Sequence, residues 1–385
     1  MKFDALILTD PRFTGGTSAA VAADVKAMSA AGLNIGLALI EAQGFFLDTE
    51  TPNAAVLSLL DLPGVTEVQL GSSQSARCDI AFFHHPSMFE NPVKHGLQIE
   101  AMRSVLIAHQ PLFLGDSALA FDPFRVQRNV RKQFGQSLLW APVSGLCREQ
   151  FRSFAPMLRM TQEDWPNAFD VSAWSPQRAK LQTPTLTIGR HGRAHPDKWP
   201  ASGKEISLSL PAGPETKVSV MGADRDFLMA MGVDISAWSV LDFNEIPVPD
   251  FLDGLDVFSY HHAPSWVESF GRTIAEAMLM NVRCILSPAL KATFGPHALY
   301  GTPEEVPAIL DHIRANLAAE RQAAEAARDF CISAFSTEAI ISRFETLKSD
   351  EGTVSRNPKP KVSPMIAAKK LIGFRRRRWR EQRGA

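Results

Sequence analysis

The sequence has little of several features that define whole classes of protein. It holds four cysteines, Cys78, Cys147, Cys284 and Cys331, with no C-x-x-C and no paired spacing. That excludes a disulfide framework and a cysteine zinc site, and reads as buried thiols in a reducing cytoplasm. No stretch approaches the roughly 20 apolar residues a membrane-spanning helix requires. "MKFDALILTD" has one lysine and a short apolar run broken by Asp10 and Pro11, so no secretory signal is read there. The G-x-G-x-x-G and Walker fingerprints of ordinary dinucleotide and ATP sites are missing, as is any repeat of solenoid period.

What is present is an ordinary soluble composition, 45% apolar and 21% charged, in 385 residues. That length exceeds one compact core and predicts two domains. Net charge is −1 but unevenly spread: residues 369–385 carry eight basic side chains and one acid, about +7, which leaves the body near −8. A basic tail on an acidic body is a local electrostatic feature.

Strand-length apolar runs alternate with helical patterns. "DALILTD" is a strand that ends in the small-residue loop "PRFTGGTS", and "AAVAADVKAMSAAG" follows as a helix stopped by Gly32. "NIGLALIEA", "VTEVQL", "CDIAFFHHP" and "RSVLIAHQP" are further strands, and "SLLWAPVSGLCREQFRSF" a strand, turn and helix. The proline-containing stretch 166–182 reads as an interdomain connection. The pattern then restarts at "TPTLTIGRHGRAHPDKWP" and runs through the strands "TKVSVMGAD", "WSVLDFNE", "LDVFSYHH" and "VRCILSP". The helix "SFGRTIAEAMLMN", a long helical segment from Thr302 and the helix "STEAIISRFETLKS" belong to the same half. The expected organisation is α/β, with two Rossmann-like parallel-sheet domains facing a cleft, over 1–165 and 183–348. A flexible linker over 349–364 and a basic amphipathic tail over 365–385 follow. Ligands of such sheets bind beyond the carboxyl ends of the strands.

Function is therefore sought in the loops after strands. Glu268 follows the strand "DVFSYHH" through a short loop. Gly271 admits close backbone approach, and the helix starting there offers free N–H groups and a positive dipole end, a setting for pyrophosphate. Glu276 on that helix suits a ribose diol, and Glu268 suits sugar hydroxyls. A structural reading stands beside this one, because Arg272 and Glu276 are spaced i,i+4 as in many surface pairs. Arg190 directly after a strand and Lys198 a few residues on suit a diphosphate, combining a fork with a point charge. Gly15 and Gly16 after the first strand admit a phosphate or sugar, or simply make a tight turn.

"ESFGRTIAEAM" resembles the E-x-F-G-x-x-x-x-E-A signature of retaining GT-B glycosyltransferases, the large family 4 group (glycosyl transferases group 1). "IGRHGRAHPDKWP" is similar to that family's Gly-Arg…Lys donor-diphosphate loop, and "FTGGTS" to its N-terminal Gly-Gly loop. Order and separation match over residues 1–348. The resemblance implies that Glu276 binds the nucleotide ribose, Glu268 the transferred sugar, and Arg190 and Lys198 the leaving diphosphate. Gly15, Gly16, Phe270 and Gly271 complete the donor-binding set. It implies a nucleotide-diphosphate sugar as donor, no required cofactor, no metal, and retention by same-face attack with the leaving phosphate taking the acceptor proton. Ser269 stands where the family commonly has Gly, and Arg272 and Thr273 where apolar residues are common, which leaves donor identity open.

Among the histidines, His109 at the end of "SVLIAHQP" best resembles the family histidine that touches the donor sugar. His84 and His85 end another strand and read more readily as structural. His261 and His262 lie near Glu268. Asp224 and Asp226 imitate a metal-binding D-x-D, but Asp224 is better placed to cap the following helix. In the tail, Met365, Ala368, Ile372 and Trp379 share one helical stripe among arginines and lysines, as in a helix lying on an anionic membrane. No nucleic-acid module accompanies it.

The expected activity is transfer of a sugar to a glycan or lipid-linked acceptor in surface polysaccharide or glycoconjugate synthesis. The expected location is the cytoplasm, on the inner face of its membrane. The competing readings are a degenerate GT-B-like scaffold that binds nucleotide sugars and a nucleotide-sugar epimerase of the same fold.

Overall fold

The computed structural model describes residues 2–47, 49–353 and 359–384. It divides into two compact units. Unit 1 comprises residues 1–169 with 337–385, and unit 2 residues 170–336. Part of the expected linker, 354–358, lies outside the described residues.

Unit 1 is built from β1 (Lys2–Thr9), α1 (Gly16–Ala30), β2 (Ile35–Leu39), α2 (Ala54–Leu57), β3 (Val65–Glu67), β4 (Ser75–His84), β5 (Gln98–Ala108), α3 (Pro123–Phe134), β6 (Leu139–Pro142) and α4 (Gly145–Phe151). Its six strands are parallel in the order β3-β2-β1-β4-β5-β6. The last five residues of β1 and of β4 are all buried, as befits central strands covered on both faces. The helix α3 shows how local sequence sets an element. Asp122 accepts from the N–H groups of Phe124 and Arg125, Pro123 opens the first turn, and Gly135 at φ 71 closes the last.

Unit 2 repeats the design. Its elements are β7 (Leu186–His191), α5 (Gly203–Ser209), β8 (Thr216–Met221), α6 (Arg225–Ala230), β9 (Trp238–Leu241), α7 (Val248–Asp253), β10 (Val257–Tyr260), α8 (Arg272–Leu279), β11 (Arg283–Leu286), α9 (Lys291–Phe294), β12 (Leu299–Tyr300), α10 (Val306–Ala315) and α11 (Leu317–Phe335). The parallel strand order is β12-β11-β10-β7-β8-β9. The long helical segment expected from Thr302 is broken at Asn316, whose φ of −132° leaves the helical region.

Two placements differ from the sequence reading. The helix α12 (Ala339–Ser349), expected in the second domain, packs in unit 1 against α1, β4 and β5. Ile340, Phe344 and Leu347 are its buried apolar face, and Arg343 lies over the Trp165 ring and donates to the Pro166 carbonyl. Periodicity shows that such a helix has a buried face but not which sheet covers it. The tail forms α13 (Pro364–Gly384), which docks on unit 1 through Ala367, Leu371 and Phe374. Lys370 donates to the Ser117 carbonyl, and Arg375 pairs with Asp122 at 2.7 Å. The stripe singled out from sequence is not the docking face: Met365, Ile372 and Trp379 are exposed.

Candidate functional site

In each sheet the chain reverses direction of build at one point, beside the first strand. In unit 2 that point lies between β7 and β10, where a doubly wound sheet binds its ligands. The end of β7 delivers Arg190. Its guanidinium is buried, donating to the carbonyls of His261 at 2.8 Å and Lys198 at 2.6 Å. It also lies 4.4 Å from the Trp199 ring centroid and 4.8 Å from that of Tyr260. Burial pushes its pKa down to about 10, with Tyr260 and Glu268 acting in the opposite sense. The cation is thus held by two carbonyl dipoles and two aromatic faces.

Lys198 closes the short turn Pro196–Lys198, with its ammonium 5.5 Å from the Trp266 ring. Burial lowers its pKa, and Glu268 acts against that lowering. The turn is tied to the loop after β10: the Ala263 N–H donates to the Asp197 carbonyl and the Ser265 hydroxyl to the Asp197 carboxylate, both at 3.0 Å. Glu268 is oriented from β10, because the Tyr260 hydroxyl donates to Oε2 at 2.6 Å and the Trp266 indole to the same oxygen at 3.3 Å. Among the described residues Oε1 accepts no hydrogen bond, which leaves it available to a ligand hydroxyl.

Gly271 precedes α8 with φ 91°. A Cβ there would come within 2.9 Å of the Ile274 side chain and 3.4 Å of Phe294, so both the conformation and the space require glycine. The first turn of α8 then opens with N–H groups outside the helical ladder. Glu276, one turn in, is nearly buried. Its Oε2 lies 3.4 Å from His191 Nε2, and its Oε1 lies 3.8 Å from Arg272 Nε. Burial raises its pKa to about 7, against the pull of Arg272 and Lys198. His191 is held neutral, pushed down to about 3 by burial and then by Arg190 and Lys198. The i,i+4 pair expected from spacing exists, but as a long contact at a buried carboxyl rather than as a surface bridge.

Arg190, Lys198, Glu268, Gly271 and Glu276 are therefore all carried by the loops and the α8 helix start around one strand edge. Phe270, expected to touch the donor, has its ring buried against Phe294 and Phe335. His261 is buried, its Nε2 on the Gly301 carbonyl, and contributes to the site the carbonyl that holds Arg190. His262 bonds the Ala263 carbonyl. Asp224 caps α6, accepting from the Phe227 N–H at 3.0 Å. Sequence reasoning missed His191, Tyr260 and Trp266. Adjacency to Arg190 and the final position of β10 were the available signals for the first two.

In unit 1 the corresponding edge lies between β1 and β4. Asp10, fully buried after β1, takes Arg12 at 2.6 Å and the Ala42 N–H at 2.8 Å. This fixes the loop that leads to Gly15, whose φ of 67° with ψ of −133° is a glycine conformation, and Gly16, the first residue of α1; both are exposed. His109, after β5, is half-buried, and its Nε2 lies 3.1 Å from His84 Nδ1. His84 is fully buried. His85 adopts a strained φ of 73° and packs at a tilt against the rings of Phe13 and Phe45. Burial holds His85 and His109 near a pKa of about 3 and His84 well below its usual range, so the trio is uncharged at neutral pH.

No protein-family model and no curated protein sequence matches the chain. Solved structures do. HepE from Anabaena in complex with UDP is 15% identical, with a TM-score of 0.62 over 90% of this chain and 100% of its own. A glycosyltransferase from Rickettsia africae is 11% identical, with a TM-score of 0.61 over 92% and 99%. Sucrose-phosphate synthase from Thermosynechococcus elongatus is 14% identical, with a TM-score of 0.59 over 89% and 97%. These neighbours are GT-B glycosyltransferases, and they show the fold: an α/β architecture of two Rossmann-like domains.

Proposed function

We propose that the protein is a glycosyltransferase that moves a sugar from a nucleotide-diphosphate sugar to a glycan or lipid-linked acceptor. The observation that carries this reading is the grouping of Arg190, Lys198, Glu268 and Glu276 around the start of α8. It offers cationic groups and the positive end of α8 for a diphosphate, flanked by two carboxyls for hydroxyls on either side. The UDP and UDP-glucose complexes of HepE support a donor of that class.

In this reading Glu276 takes the ribose diol and Glu268, steadied by Tyr260 and Trp266, takes the hydroxyls of the transferred sugar. Transfer breaks the bond between the anomeric carbon and the diphosphate oxygen and forms one to the acceptor oxygen. Arg190, Lys198 and the helix end stabilise the charge that gathers on the diphosphate. The acceptor proton passes to the leaving phosphate, with retention at the anomeric carbon. In unit 1 the reading gives His109 a role toward the sugar and Gly15 and Gly16 one toward phosphate. The acceptor belongs to surface polysaccharide or glycoconjugate synthesis, and the enzyme works in the cytoplasm, a setting compatible with four buried free thiols.

Calorimetry with UDP and other nucleoside diphosphates tests the donor site. Binding by the wild type that is lost in Glu276→Ala is the expected result. No binding of any nucleoside diphosphate would remove the assignment.

A further inference from the structure

The donor reading leaves α13 without a function. Its docked side, Ala367, Leu371 and Phe374, faces unit 1. At 100° per residue the opposite side carries Met365, Ile372 and Trp379 flanked by Lys369, Arg376, Arg380 and Arg383. The three apolar side chains are 73%, 52% and 54% exposed. An outward apolar ridge bordered by cations, with Arg383 lying 4.0 Å over the Trp379 ring, is presented by a helix already anchored through its other face.

Beside that ridge, α13 and α3 enclose a groove of about 410 Å³ lined by Arg125, Arg128, Arg375, Arg378, Trp379 and Gln382, together with Asp122. Four arginines line it with Asp122, which is already committed to capping α3 and to Arg375; Glu381 lies 3.9 Å from Arg378, and Glu90 is near enough to feel Arg378 and Arg125. Arg125 bonds Asn91, while Arg128 is exposed and makes no hydrogen bond or ion pair among the described residues. The groove therefore has unspent donors suited to a phosphate, and its rim is shared with the apolar ridge through Trp379. No helix among the described residues is long and apolar enough to cross a membrane.

We infer that α13 and the adjoining edge of α3 form a surface for an anionic bilayer: Met365, Ile372 and Trp379 enter the interface, and the arginine groove holds a lipid phosphate. A ridge of this kind fits lipid better than nucleic acid, whose charged backbone would leave Met365 and Ile372 against water. The inference does not rest on the proposed donor residues, none of which is in α13 or α3.

The test is sedimentation of the full chain with vesicles. Binding is expected to phosphatidylglycerol–phosphatidylethanolamine vesicles and not to phosphatidylcholine vesicles. Each basic residue near an anionic surface is worth roughly fivefold in partition, so Arg128→Gln with Arg378→Gln is expected to weaken binding on the order of tenfold or more. Ile372→Glu is expected to weaken it by a similar factor. Unchanged thermal unfolding midpoints would show that both variants are folded. Equal binding to the two vesicle types, no binding to either, wild-type binding by both variants, or tighter capture of an RNA oligonucleotide than of the anionic vesicles would each overturn the inference. None of these outcomes depends on whether UDP binds.

Discussion

The two sheets reverse at equivalent places, yet the side chains gathered there differ in kind. At the ends of β7 and β10 are gathered a buried arginine, a half-buried lysine and two carboxyls. After β1, β4 and β5 come glycines, phenylalanines and three imidazoles that burial keeps neutral. A buried cation such as Arg190 survives because carbonyl oxygens and ring faces replace its water. The histidines, which can shed their charge at little cost, are held neutral by burial instead. One architecture thus yields an ionic edge in one sheet and a neutral edge in the other.

The contrast can be broken first at Lys198. Lys198→Ala is expected to lower turnover about 10²-fold or more, because a cation on the departing diphosphate acts mainly in the transition state. Steady-state rates with the donor found by calorimetry check this, and a loss under threefold would contradict it. Gly271→Ala comes next. It places a Cβ in a left-handed turn 2.9 Å from Ile274 and is expected to cost about 1–3 kcal/mol of stability, together with weakened nucleotide binding. Denaturant unfolding reads the first effect and calorimetry the second.

Glu276 sharpens the comparison through pH. Its carboxyl titrates at about 7 in the fold against 4.5 ordinarily. Between those values the folded state holds a proton that the unfolded state has released. Stability therefore falls as pH rises through this window, and the full loss is present above about 7. Glu276→Gln is expected to remove that loss, gaining on the order of 1–3 kcal/mol at pH 8 and little at pH 4, while weakening nucleotide binding. Urea midpoints at the two pH values decide it. The smallest effect is expected at the neutral edge. His109→Asn should lower turnover about tenfold with nucleotide affinity nearly unchanged, and the wild-type rate should show no step from His109 between pH 5 and 8, since burial pushes its pKa down to about 3.

Much of this was legible before the structure. Strand runs such as "CDIAFFHHP" and the Phe-Gly turn ahead of α8 carry their own patterns. Arg190, Lys198, Glu268 and Glu276 were readable because they are polar residues just beyond such runs. What was hidden depends on contacts distant in sequence. Phe270 shares a motif with Glu268, but only Phe294 and Phe335 decide that its ring is buried. Tyr260 reads as one more apolar strand residue until its hydroxyl is seen on Glu268. The stripe on α13 is real, but it faces outward, because the docking residues Ala367, Leu371 and Phe374 form a second, weaker pattern on the same helix. α12 belongs to the first sheet because Phe344 stacks on Phe82, a pairing no local pattern announces.

The return of α12 to unit 1 has a consequence for biosynthesis. Unit 2 is an insertion within the chain of unit 1, since residues 170–336 separate its two segments. During translation all of unit 2 is made before Ile340, Phe344 and Leu347, so it can finish folding while the faces of β4 and β5 beneath α12 are still uncovered. The first sheet to be synthesised is therefore the second to be completed.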